Sequence, residues 1–198
     1  MGDSPLLNPL RSMSDDMTSY RRIKRPGRTY FFTVALAARG SNNLVAHVDA
    51  LRRAYAVTRA ERPFRCDAFV VLPDHLHAMW TMPQDDWDYS TRWRLLKTRF
   101  TRSVLATMGA EHPPYLSASK RRKVERGIWQ RRFWEHCIRD ERDFETHLEY
   151  CWQNPVRHGL VARAAEWPYS SIHRDIRRGR ADPELTHLQV EGEFGEPK

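Results

Sequence analysis

Two apolar, β-forming runs, residues 64–72 and 75–82, are separated by Pro73-Asp74 alone. So short a break is a turn, and the two runs read as the strands of an antiparallel hairpin. Residues i and i+2 of a strand face the same side. His75 and His77 therefore project together, while Leu76 points to the core. Two imidazoles on one face make a half-built site for a divalent cation; a hydrogen-bonded surface pair is the other reading. A cation site needs a third protein group.

The remaining segments supply partners for that hairpin. Residues 30–36 are β-branched and aromatic and predict a strand. Apolar positions at Leu44, Val48, Leu51, Tyr55 and Ala56 predict a helix over 44–59 that packs on a sheet and ends at Arg62-Pro63. A helix is expected over 90–108 with Ser90 as N-cap, then a loop over 111–126, where Pro113-Pro114 meets a charge run. Residues 128–139 suggest a short aromatic-rich strand. Residues 140–153 predict a helix capped by Asp140, with Asp143 three places on, and Asn154-Pro155 disrupting its end. The order β-α-β-β-α-β-α predicts an α+β fold: an antiparallel sheet with helices packed on one side, of ferredoxin-like type. Three stretches are expected: a disordered segment over 1–19, one domain over 20–174 and a charged tail over 175–198.

On the helix over 140–153, at about 100° per residue, Phe144, Leu148, Cys151 and Trp152 share a core stripe. Asp143, His147, Tyr150 and Asn154 form a neighbouring polar stripe. A tyrosine ring packs while its hydroxyl stays wet, so Tyr150 alone reads as structural or functional. The Asn154 carbonyl is a hard oxygen ligand of the kind magnesium or manganese accepts. If the polar stripe faces the histidine strand, a nucleophile and a third ligand arrive together.

The net charge is +8, and arginine supplies 28 of the 33 basic residues. A polyanionic partner is the natural inference, with an unrelated basic enzyme as the alternative. The charge is clustered. Arg21, Arg22, Lys24, Arg25 and Arg28 form one group; Arg92, Arg94, Lys97, Arg99 and Arg102 a second; Lys120, Arg121, Arg122, Lys123, Arg126, Arg131 and Arg132 a third. Tyr30, Trp93, Phe100 and Trp129 interleave with them, as in surfaces that pair phosphate contacts with stacking rings. Three cysteines without Cys-x-x-Cys spacing fit free thiols in a reducing cytoplasm. No run approaches the ~20 apolar residues of a membrane helix.

Four segments carry a resemblance: FVVLPDHLHAMWTMP (69–83), IWQRRFWEHCIRDERDF (128–144), HLEYCWQNPVRHGLV (147–161) and WPYSSIHRD (167–175). Over residues 20–180 the chain resembles the REP-associated tyrosine transposases, relatives of the single-tyrosine insertion-sequence transposases within the HUH endonuclease superfamily. The resemblance implies His75 and His77 as ligands of a divalent cation, Mg2+ or Mn2+, and Tyr150 as the nucleophile. Asn154 falls where insertion-sequence relatives often carry glutamine. It also implies cleavage and rejoining of single-stranded DNA beside repetitive extragenic palindrome (REP) hairpins, through a 5′-phosphotyrosine link, in the bacterial cytoplasm and nucleoid. The branch resembles monomers, so a monomer is expected, with a dimer as the alternative. The expected DNA-binding residues are Arg21, Arg22, Lys24, Arg25, Arg28, Lys120, Arg121, Arg122 and Lys123, and His147 is a candidate general base.

Three other functions compete. A non-catalytic hairpin-binding descendant would be marked by loss of His75, His77 or Tyr150, and all three are present. A water-activating hydrolase needs a carboxylate beside the histidines, and alternation points Asp74 away from them. An RNA-binding module lacks its usual signatures here.

Overall fold

A computed structural model describes residues 24–107, 127–186 and 192–196. Four strands form one antiparallel sheet in the order β2-β3-β1-β4. These are β1 (Thr29–Ala35), β2 (Arg65–Val71), β3 (His75–Thr81) and β4 (Trp134–Cys137). The hairpin read from the Pro73-Asp74 break is β2–β3. Its register sets Val70 opposite His77 and Val71 opposite Leu76, with a shift between Cys66 and Ala68.

The expected helix over 44–59 is two helices, α1 (Asn43–Ala46) and α2 (Val48–Glu61), joined at His47. The next, α3, spans Tyr89–Thr107. It begins one residue earlier than expected, because the Asp88 carboxylate, not Ser90, accepts the Thr91 amide at 2.9 Å. Helix α4 (Glu141–Arg157) starts where expected: the Asp140 side chain accepts the Asp143 amide at 2.9 Å. It does not stop at Asn154-Pro155 but runs through Pro155 for another turn. A 3-10 turn (Ala164–Glu166) and α5 (Ile172–Arg177) follow.

The helices cover both faces of the sheet, not one. Tyr30, Phe32 and Val34 of β1 and Leu76, Ala78 and Trp80 of β3 pack against α2 and α3. There Trp80 stacks on Trp93 at 4.1 Å and on Phe64 at 4.2 Å between ring centres. The alternate residues, Phe31 of β1, Ala68 and Val70 of β2 and Met79 of β3, pack on Tyr150 and Cys151 of α4. Both faces of the central strands β1 and β3 are buried and largely apolar, so each is covered by a helix layer. His75 and His77 lie on the α4 face and are 2% and 0% exposed.

Much of the charge read as DNA-facing on α3 is internal. Arg92 is buried, and its guanidinium bonds Asp86, the Arg62 and Pro63 carbonyls and the Asp88 carbonyl. Arg99 bonds Thr58 and Glu61, and Lys97 the Gln130 carbonyl. Tyr30, Trp93 and Phe100 are buried core rings and cannot stack on DNA bases. Among the described residues no helix is long and apolar enough to cross a membrane, and Cys66, Cys137 and Cys151 are free thiols.

Candidate active site

Strand β3 places His75 and His77 two residues apart on the face that α4 covers, and α4 turns its polar stripe toward them. Asp143, His147, Tyr150 and Asn154 are all buried. The polar stripe is therefore interior and faces the histidine strand, and Tyr150 is 0% exposed. Its ring meets the His77 ring edge-on at 5.2 Å and the Phe31 ring at 5.9 Å.

Each histidine is oriented from behind. Strand alternation was expected to point Asp74 away from the histidines, but Asp74 precedes the strand in the hairpin turn. Its carboxylate turns back to within 2.7 Å of His75 Nδ1 while also accepting the Gly40 amide and pairing with Arg39 at 3.0 Å. His77 Nδ1 lies 2.9 Å from the Thr33 hydroxyl. This leaves Nε2 of both rings aimed into the site. Both Nε2 atoms and the Asn154 Oδ1 are buried without a hydrogen-bond partner. Buried polar atoms are seldom left unpaired, and these three belong to the three residues that the sequence suggested as cation ligands. Burial, with His77 adding to it, pushes the His75 pKa down to about 4. The ring is thus neutral at pH 7, the form that binds a metal.

Two further groups enter the site. His158, one residue beyond α4, sets its ring 5.0 Å from that of His75. Glu196 projects a carboxylate between the histidines, 3.6 Å from His75 Nε2, 3.5 Å from His77 Nε2 and 3.6 Å from His158 Nε2. It accepts hydrogen bonds from the Tyr150 hydroxyl and from the Asn154 amide, the latter at 3.1 Å. Burial opposes its charge, but His77, His75 and Arg39 outweigh burial and hold Glu196 below the usual carboxylate range. His75, His158 and Glu196 have ligand atoms close enough to hold one ion. The neighbouring Phe194 ring lies flat on the Tyr150 ring at 3.7 Å. Gly195 follows at φ +61°, where a β-carbon would overlap Trp134.

A scan against models of protein families gave no match. Individual proteins match strongly. Over 163 residues the chain is 41% identical to the REP-associated tyrosine transposase of Escherichia coli K12, covering 82% of this chain and 87% of the relative. The chain belongs to the REP-associated tyrosine transposases. A Haemophilus influenzae protein assigned to the same family is 41% identical over 161 residues, 81% of this chain and 89% of that one. The fold agrees with that of a REP-associated tyrosine transposase solved bound to a REP hairpin, with a TM-score of 0.78 and 38% identity over 92% of this chain and 99% of the other.

In this REP-associated tyrosine transposase, His75, His77, Tyr150 and Asn154 converge as a group, and of the expected DNA-binding residues Lys24, Arg25 and Arg28 are among those described. Lys24 lies over the Trp87 ring at 4.5 Å, Arg28 reaches the Ile138 carbonyl at 3.2 Å, and the Arg25 amide bonds the Tyr30 hydroxyl. Arg21, Arg22, Lys120, Arg121, Arg122 and Lys123 fall outside the described residues, as does the loop expected over 111–126. His147 does not reach the tyrosine hydroxyl's acceptor position. Its Nδ1 bonds the Asp143 carbonyl at 2.8 Å, its ring stacks on His136, and the group that accepts from Tyr150 is Glu196. Sequence reasoning missed His158 and Glu196. His158 offered only its residue type, because it lies beyond the helix expected over 140–153, where no period places a side chain. Glu196 had no signal, because its place depends on the path of the chain after α5.

Proposed function

We propose that this chain cleaves and rejoins single-stranded DNA beside REP-like hairpins, with Tyr150 as nucleophile and a divalent cation held by His75, His77 and Asn154. The observation that carries this reading is the convergence of three unpartnered buried ligand atoms on one side of a tyrosine hydroxyl. The Glu196 carboxylate, seated among them, has the charge and size of part of a phosphate group. A cation bound there, Mg2+ or Mn2+, would polarise a non-bridging phosphate oxygen and orient the phosphorus.

The residues supply the rest. Tyr150 Oη forms the bond to phosphorus as the bond to the 3′-oxygen breaks. The hydroxyl proton passes to solvent, the departing 3′-oxygen takes one up from solvent, and the product is a 5′-phosphotyrosine with a free 3′-hydroxyl. Because the link keeps the phosphoester's energy, a second 3′-hydroxyl reverses the step and joins strands. The Arg157 guanidinium, over the Tyr150 ring at 5.3 Å, puts positive charge beside the reacting group. His158 is suited either to a further ligand position or to a phosphate oxygen. Burial keeps the nucleophile's ring fixed, with Phe31 on one edge. A monomer suffices, since histidines and tyrosine come from one chain.

The deciding experiment incubates the protein with a labelled single-stranded hairpin oligonucleotide and Mn2+, then maps any adduct that survives denaturation. The expected adduct is on Tyr150. His75→Ala, His77→Ala or EDTA should abolish it while hairpin binding persists. Full cleavage in EDTA would remove the cation from the scheme, and hairpin binding with no adduct under any condition would favour a non-catalytic binding protein.

A further inference from the structure

On the face of the sheet away from Tyr150, a cleft of about 530 Å³ opens between α2, the edge strand β2 and residues 168–171. Its volume falls within the roughly 300–1,000 Å³ of small-ligand sites. Residues 168–171 are held along β2 as an extra edge: Val71 donates to the Tyr169 carbonyl at 2.9 Å, and Ser171 to the Phe69 carbonyl at 2.8 Å. The Trp-Pro-Tyr-Ser-Ser segment thus closes the sheet edge and, with Tyr169, forms one wall of the cleft.

The lining combines rings with cationic charge. Tyr55, Phe69 and Tyr169 supply aromatic surface, and Tyr55 packs edge-on against Phe69 at 5.3 Å. Five arginines and no acidic residue line the rim. Three are already matched: Arg52 pairs with Asp49 at 2.9 Å, Arg65 with Asp67 at 2.8 Å and Arg174 with Asp175 at 3.0 Å. Arg59, whose Nε donates to the Phe64 carbonyl at 3.2 Å while its terminal nitrogens make no hydrogen bond among the described residues, and Arg178 have no carboxylate partner among the described ion pairs, and both are exposed. The cleft therefore carries about two uncompensated positive charges beside aromatic walls. At the floor, the Cys66 thiol donates to the Ala68 carbonyl at 3.5 Å, and burial raises the Tyr55 and Cys66 pKa values, so both groups stay neutral at pH 7.

We propose that this cleft binds an unpaired nucleotide of the DNA substrate, its base against Tyr55 and Tyr169 and its phosphates on Arg59 and Arg178. Rings beside arginines are what single-stranded nucleic acid requires, and an anionic occupant answers the excess charge. A nucleotide held at the β2 edge, across the sheet from the tyrosine, would fix the path of the strand leaving the hairpin. The inference rests on the DNA reading above, but its location is independent of the catalytic residues.

The test compares wild type with an Arg59→Ala/Arg178→Ala double variant on three probes: a bare hairpin, the same hairpin with a four-nucleotide unpaired flank carrying 2-aminopurine, and that tetranucleotide alone. Both arginines are on the rim, so the variant should keep its melting temperature. In wild type the flank should tighten binding roughly ten-fold, in line with one stacked base, and quench the 2-aminopurine. The variant should lose that gain and bind the bare hairpin as before. Its salt dependence on the flanked hairpin should fall by about 1.4 log units per log unit of salt, for two single-strand phosphates. Equal weakening on both hairpins, an unchanged variant, or no flank effect in wild type would each overturn the proposal. The tetranucleotide keeps the two readings apart. Arginine-dependent binding of it without hairpin binding would sink the hairpin reading and leave the cleft standing; no binding of any probe would sink both.

Discussion

Tyr150 is read from the sequence as a ring on a polar helical stripe, and in the fold its hydroxyl is the donor to an anion among histidines. That makes Tyr150→Phe the sharpest single change. It removes one hydroxyl and keeps the ring packed on Phe31 and Phe194, whereas alanine would leave a cavity costing about 3–5 kcal/mol. The expected result is an unchanged fold and hairpin affinity with no covalent adduct; undiminished cleavage would overturn the assignment. His158 invites a graded test. Because its ring is partly exposed and lies at the rim of the pair His75 and His77, His158→Ala should weaken Mn2+ affinity, read by calorimetry, less than His75→Ala does. Equal affinity to wild type would exclude it from the cation site. The difference between residues found and residues missed has a physical origin. His75, His77, Tyr150 and Asn154 lie on regular elements, where a period of 2 or 3.6 says what shares a face. His158 sits just past a helix end, and no period governs it.

The elements themselves were legible where hydrophobic periodicity is strong, as in β1, β2, β3 and α4, and less so at their ends. Helix α3 starts from Asp88 instead of Ser90, since both are competent caps and only the chain path after Pro83 chooses between them. Pro155 was expected to break α4, yet the helix continues to Arg157. Proline costs roughly 3 kcal/mol inside a helix, but here it stands in the last turn and is buried, and the extra turn keeps Asn154 in register with Tyr150. The start of α4 carries a testable pH dependence. Burial disfavours the charged Asp143, but hydrogen bonds from Arg139 and His136 outweigh it and hold its carboxyl well below the usual carboxylate range. A depressed folded pKa contributes stability that is present above the unfolded value of about 3.9 and lost as pH falls toward the folded value. Asp143→Asn should therefore cost roughly 1.5–3 kcal/mol at pH 7. The gap between variant and wild type should close below about pH 4, as seen in denaturant titrations; a gap independent of pH would show that the charge is irrelevant.

At the scale of the whole molecule, the chain's last described residues return to its centre. Residues 192–196 cross the α4 face so that Phe194 covers Tyr150 and Glu196 fills the space between His75, His77 and His158. Composition alone suggested a charged tail and gave no reason for this return. In the reaction proposed above, the scissile phosphate would have to enter the place beside Tyr150 and the cation site that the Glu196 carboxylate fills, so the two anions would compete for it. Deleting residues 192–198 should therefore speed adduct formation on a hairpin oligonucleotide and lower the protein concentration needed for half-maximal cleavage. It should also remove a buried phenyl ring, which is worth about 1.5–3 kcal/mol of stability, so the melting temperature should fall while the rate rises. Glu196→Gln separates charge from bulk: it keeps the shape of the segment, loses the anion, and should give an intermediate rate with nearly full stability. The alternative is that Glu196 is itself a ligand of the cation, as its geometry with His75 and His158 permits. In that case both the deletion and Glu196→Gln would slow cleavage and weaken Mn2+ binding, and the competition argument would fail.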